Sequence, residues 1–273
     1  MNDIDESRKA GLELYERLHL STYPVAIKYV RDASEFGPGM VRPSAMGQKW
    51  SLCQAFTYAR RWATTACMAQ EDNFCVPATV WHHWVDLPWE EFIQSQIRQG
   101  WHADEEAERK RCAYGIKMLG EENLEKAAEY AGFISSPLPF TKVVPDTVLV
   151  YGNAENVTHI IHALAYGGEH FPSSTFEGFG ESCMKGGLVP FITGVPQVVI
   201  PGMGDRTFSG TYDYEIAVGI PGRLLQEVTD NLFKTGGRLN MGQPVRTLLP
   251  TGITESITPG FQYLRDRIDE CGI

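Results

Sequence analysis

No Cys-x-x-Cys pair occurs in this 273-residue chain, although it holds six cysteines, so the strongest short-range sign of zinc or cluster ligation is missing. Long apolar runs are missing too, and none nears the roughly 20 residues that a membrane-spanning helix needs. Positive charge is scarce. Against 34 Asp and Glu stand 24 Lys and Arg, a net charge of −10, which argues against nucleic acid and anionic membranes as partners. The opening stretch Met1 to Lys9 lacks the apolar core of a secretory leader. No Walker lysine and no Gly-x-Ser-x-Gly elbow is present, so neither a P-loop nucleotide site nor a hydrolase elbow is expected. Together these absences predict a cytoplasmic protein whose thiols stay reduced.

What is present suits a globular chain. Hydrophobic residues make up 43%, enough for a core that needs no disulfide staples. Apolar periodicity predicts an amphipathic helix over 3–20, with Leu12, Leu14, Tyr15, Leu18 and Leu20 recurring among charged positions, and a helix over 54–62. Tyr23 to Val30, Asp146 to Tyr151, Gln197 to Ile200 and Tyr214 to Ile220 read as strands, and 63–68 as a short one. Further helices are expected over 103–119, 122–131, 156–166 and 222–234, with a break at Ser136-Pro137-Leu138-Pro139 and a glycine-rich stretch over 176–180 that leads to Cys183 at a helix start. The pattern predicts one large α/β or α+β domain over 1–273 with a mixed sheet. Two weakly related halves, 8–135 and 140–235, precede a tail over 236–273 with little regular signal. The halves are suggested by a shared spacing: Cys53 to Cys75 spans the same 22 residues as Cys183 to Asp205.

Cys53, Cys75 and Cys183 each stand at an element boundary beside small or turn-forming residues, where a sulfur can face a cavity. Three such thiols are soft ligands that suit a metal or an iron–sulfur cluster. Gly186, Gly187, Gly202 and Gly204 would leave room for it. Free cysteine is also among the most buried residue types, so inert packing carries comparable weight. His82 and His83 are adjacent and point different ways, which favours one packed and one solvated ring over shared ligation. His159 and His162 share a helix face and are expected to line a pocket. Arg206 is a candidate carboxylate clamp, competing with a plain ion pair to Asp205, Asp213 or Glu215. The loop Gly202-Met203-Gly204 lacks the third glycine of a dinucleotide fingerprint, and no helix is expected directly after it.

One order of motifs is informative. It runs Tyr23-Pro24-Val25-Ala26-Ile27-Lys28, then Cys53-Gln54-Ala55 with Ala59-Arg60-Arg61, the isolated Cys75, and Pro145-Asp146-Thr147-Val148-Leu149. Cys183, Gly204-Asp205-Arg206 and Asp213 to Pro221 follow. This series resembles the bacterial and archaeal domain-of-unknown-function family numbered 169, over roughly residues 8–235. The resemblance implies a cytoplasmic α/β protein whose recurrent cysteines suggest iron–sulfur binding; Cys53, Cys75 and Cys183 fall on the family's cysteine positions, while Cys67, Cys112 and Cys271 do not.

The resulting expectation is a 4Fe–4S cluster on Cys53, Cys75 and Cys183, flanked by Gly186 and Gly204. It would act as a lyase, hydratase or oxidoreductase on a small anionic or hydroxylated organic substrate. Arg206 or Lys28 would bind the anionic group, and Glu181, Glu215 or His162 would move protons. The alternative from another class is a metal-free small-molecule binding or regulatory protein with packed cysteines. A Cys–His hydrolase pairing Cys183 with His159, His162 or His170 ranks third. The sequence leaves a homo-oligomer open.

Overall fold

A computed structural model of the chain describes residues 3–174, 176, 178, 180–235, 260, 263, 264, 266 and 267. Most of the tail over 236–273, Cys271 included, lies outside the described residues.

Local signals account for several elements. Helix α1 (Ile4–Arg17) starts in a capping box, Asp3 accepting from the Glu6 N–H and Glu6 from the Asp3 N–H. Strand β1 (Val25–Val30) follows. Helix α2 (Leu52–Trp62) begins with the same device, Ser51 with Gln54. Next come β2 (Ala66–Ala69), α3 (Val76–Trp81), α4 (Trp89–Gln99), α5 (Glu105–Leu119) and α6 (Glu121–Ala127). Strand β3 (Gly132–Pro137) runs through the stretch that its prolines mark as a break. It is a strand because Pro137 sits at its end, where a missing N–H costs little. The second half contains β4 (Thr147–Gly152), α7 (Ala154–Ala165), a π-helix (Glu181–Leu188) and α8 (Val189–Thr193). It closes with β5 (Gln197–Val199), α9 (Met203–Ser209), β6 (Ile216–Pro221) and α10 (Leu225–Asn231).

The strands form one six-stranded sheet in the order β2-β3-β1-β4-β6-β5. Every strand pair is antiparallel, so the architecture is α+β and the sheet is not mixed. Parallel pairing is confined to isolated bridges such as Val41 with Ala66. The order reads symmetrically outward from the central β1–β4 pair: each half places its first strand at the centre, its third next and its second at the edge. After β3 and β6 the chain turns into a short 3₁₀ segment, Leu138–Phe140 and Gly222–Leu224 respectively.

Both sheet faces are covered, which explains why β4 is buried at every position. Val148 and Val150 face a core with Leu14 of α1, Ile160 of α7 and Val228 of α10. Leu149 and Tyr151 point the other way, into a core with Phe56 of α2 and Cys183, Met184 and Leu188 of the π-helix. Strand alternation thus sorts the molecule into two layers, and the cysteine-bearing elements share one of them. Among the described residues, no helix is long and apolar enough to cross a membrane.

Candidate functional site

Each of the three singled-out cysteines lies in or beside the first turn of a helix. Cys53 is the second residue of α2. Cys75 caps α3 and is held by Asn73, whose Oδ1 accepts from the Cys75 N–H at 2.9 Å and whose Nδ2 donates to the Cys75 carbonyl at 2.7 Å. Cys183 sits in the first turn of the π-helix, whose eight residues are all buried. π-Helices of any length are rare and concentrate at functional sites.

The fold brings these segments together. The Cys53 thiol lies beside Cys183, and Cys75 and Asp205 lie close enough to act on it electrostatically. Cys183, followed by burial and the neighbouring Asp205, pushes the Cys53 thiol well up. Burial, with Cys183 adding to it, pushes the Cys75 thiol up to about 11. Tyr29 stands beside the same group; burial and then Cys183 raise its phenol. Cys67 and Cys112 are buried elsewhere, and all five described cysteines are free.

Asp205 is the site residue that sequence reasoning passed over. It is 3% exposed and accepts from three hydroxyls: Ser182 Oγ, Tyr151 OH at 3.2 Å and Thr211 Oγ1 at 3.0 Å. Burial pushes its carboxyl up, against the pull of those hydroxyls and of Arg60. The Arg60 guanidinium lies 4.1 Å over the Tyr151 ring, tying Asp205 to a second buried group. The signal available beforehand was the matched spacing, which puts Asp205 where the first half has Cys75.

Several expected participants stand elsewhere. His162 lies on α7, which packs on β4, β6 and α10 in the layer opposite the cysteines, so it moves no proton at them. His159 is in the same layer, against Phe233; a Cys183 hydrolase drawing on α7 has no geometry. Arg206 donates to Asp213 at 2.6 Å and to the Pro201 carbonyl; a plain ion pair occupies it, since its neighbour Asp205 points inward and it points out. Glu215 is 1% exposed and held by Arg60 at 2.5 and 3.1 Å and by Arg61 at 3.2 Å, so it serves as their counter-ion and not as a proton carrier. Lys28 alternates with Ile27 and Tyr29 and pairs with Asp146 at 2.8 Å, off the cysteine face. Glu181 does stand at the site, in a buried pair with Lys185 at 3.0 Å across one turn of the π-helix.

The glycines also differ from expectation. A Cβ on Gly186 would meet Leu149 at 2.9 Å, and one on Gly187 would meet the Tyr29 hydroxyl at 3.1 Å. Both glycines seat the π-helix on the sheet, so their missing side chains serve packing there. Gly204 has open surroundings, but it lies inside α9, a helix that follows the Gly202 turn at once. His82 is buried, its Nδ1 2.9 Å from the Ala78 carbonyl, and burial pushes it down to about 4.

The donor set is nonetheless chemically coherent: three thiols, one carboxyl and no histidine. A buried thiol with a raised pKa is a poor nucleophile near neutrality, because the thiolate is the reactive form. In protein freed of metal, Cys75 should react with iodoacetamide at pH 7.5 roughly 300-fold more slowly than free cysteine. Mass spectrometry of the time course checks this, and a rate within about threefold of free cysteine would contradict the geometry. Among the described residues, no three His, Cys, Asp or Glu side chains converge tightly enough to enclose a single metal ion.

No curated protein and no solved structure matches the chain. A family model described as uncharacterised ArCR, the domain-of-unknown-function family numbered 169, does match. Its match takes in both central strands, the three converging cysteines and Asp205. With residues 13–231 matched out of 273, the chain belongs to this uncharacterised ArCR family.

Proposed function

We propose that Cys53, Cys75 and Cys183 hold a 4Fe–4S cluster and that the protein works on a small anionic or hydroxylated organic molecule beside it. One observation carries the reading: cysteines from three separate segments meet in one buried layer, close enough to act on one another. Several irons can take thiolates from separate segments without the tight cage that a single ion demands. A cluster with three protein thiolates supplies an open iron, a Lewis acid for a hydroxyl or carbonyl oxygen.

The protein's own part is positional. Asp205 Oδ2 accepts from Ser182 Oγ, one residue from Cys183, and so orients that hydroxyl at the centre. Tyr151, braced by Arg60, keeps that carboxyl in place. The Glu181–Lys185 pair fixes the turn that carries Cys183. A reducing cytoplasm suits five free cysteines.

Iron and acid-labile sulfide on anaerobically purified protein test the reading. About four of each per chain is the expected result, with Cys183→Ser losing the visible spectrum. Neither iron nor sulfide after reconstitution would favour the metal-free reading, a binding or regulatory protein whose cysteines are packing residues. The observation on that side is the place of Cys183, 8% exposed, inside the hydrophobic core.

A further inference from the structure

The far end of α2 carries an open cleft of about 480 Å³, lined by Arg60, Arg61 and Trp62 of its last turn, by Tyr15 of α1, and by Thr22, Tyr23 and Tyr212. This volume falls within the range of small-molecule sites. Arg60 lies seven positions after Cys53 on the helix, a rise of about 10 Å, so the cleft opens away from the cysteines while Arg60 links it to Tyr151 and Asp205.

Its charge is unbalanced. Two guanidiniums share one carboxylate, Glu215, and Arg60 also feels Asp205 behind it, so the surplus charge at the cleft falls on Arg61. Arg60 is spent on Glu215 and on Thr211. Arg61 is less committed. Its Nη2 reaches Glu215 at 3.2 Å and the Gly210 carbonyl at 3.4 Å, while its buried Nε has no hydrogen-bond partner among the described residues. The walls are aromatic: Tyr15 and Tyr23 touch at 4.8 Å, Arg61 lies over Tyr212 at 4.4 Å, and Trp62 is 61% exposed at the rim. Exposed aromatic surface beside a surplus cation suits a planar body with one negative charge. A phosphate dianion would overcompensate the excess.

We infer that this cleft binds a small planar organic monocarboxylate, with Arg61 meeting the carboxylate and Trp62 and Tyr212 the ring. Calorimetric titration of the full chain with benzoate tests it, with neutral benzamide and inorganic phosphate as controls. The expected result is saturable benzoate binding at millimolar or better affinity, at least tenfold tighter than either control. Arg61→Gln should weaken it at least tenfold, Arg61→Lys less, and Trp62→Ala also. Equal binding of benzamide or phosphate overturns the inference, as does an unaltered affinity in both Arg61→Gln and Trp62→Ala. No saturation by about 10 mM benzoate overturns it too. Iron content measured on the same samples keeps this outcome separate from that of the cluster.

Discussion

Arg60→Met should lower stability by about 3 kcal/mol, measured by urea unfolding at pH 7, because it leaves Glu215 charged and buried with one partner gone. Arg60 has no exposed surface and makes two hydrogen bonds to Glu215, one to Thr211 and a stack on Tyr151. Arg61 remains at 3.2 Å from the carboxylate, which holds the loss near the lower end of the range for broken buried pairs. The double variant Arg60→Met/Glu215→Gln should recover part of it, since removing both charges is far cheaper than removing one. A loss below about 1 kcal/mol would give the pair the weight of a surface contact.

The pH dependence has a definite sign. Burial pushes the Glu215 carboxyl up, but Arg60, the Tyr212 N–H and Arg61 outweigh it and hold the group below the usual carboxylate range. A depressed carboxyl stabilises the folded protein above its unfolded pKa of about 4.3, and that stabilisation fades as pH falls through the folded value. Without Arg60 the burial effect gains ground and the folded pKa rises. The variant then regains stability on acidification, so the gap to the native protein should narrow between pH 7 and pH 4.

Gly219→Ala is expected to cost about 3 kcal/mol or more, the severe end of overpacking, and to disturb the cysteine centre as well. A Cβ at Gly219 would lie 2.0 Å from the Gly186 carbonyl oxygen and 2.8 Å from Pro190 Cγ. The first obstacle is backbone, which no rotamer change relieves. The π-helix must lift from β6, and Cys183 moves with it, away from Cys53. Unfolding midpoints and the rate of Cys53–Cys183 disulfide formation under mild oxidant read both effects. Gly204→Ala is the internal comparison. Its Cβ would meet nothing nearer than Phe208 at 3.9 Å, so inside α9 it should be neutral or stabilise by up to about 1 kcal/mol. Equal behaviour of the two variants would mean that the close approach at Gly219 is not what seats the π-helix.

Local chemistry was legible in the sequence wherever a few neighbouring residues decide the outcome. The apolar repeat with Leu14 and Leu18 specified α1, Ser51-x-x-Gln54 is the kind of signal that starts α2, and the β-branched runs specified β1 and β4. The order of motifs with three boundary cysteines pointed to the family, and the spacing of Cys53–Cys75 against Cys183–Asp205 hinted at two related halves. What the chain could not disclose locally depends on partners far away in sequence. β3 hides behind its prolines because its strand character comes from being paired between β1 and β2. The π-helix was not legible because its glycines answer to distant partners: Gly219 must lack a side chain to admit the Gly186 carbonyl, and Gly186 to fit against Leu149 and Val199. Residue type alone could not tell that Glu215 is a counter-ion, that Arg206 is spent on Asp213, or that His162 faces the other layer. Sheet register and strand alternation assign those roles: antiparallel pairing of β4 with β1 and β6 sets which side chains share a face. The sequence by itself determined which thiols were eligible; the tertiary structure decided that they meet Asp205 and one another, because only packing across the sheet makes distant residues neighbours.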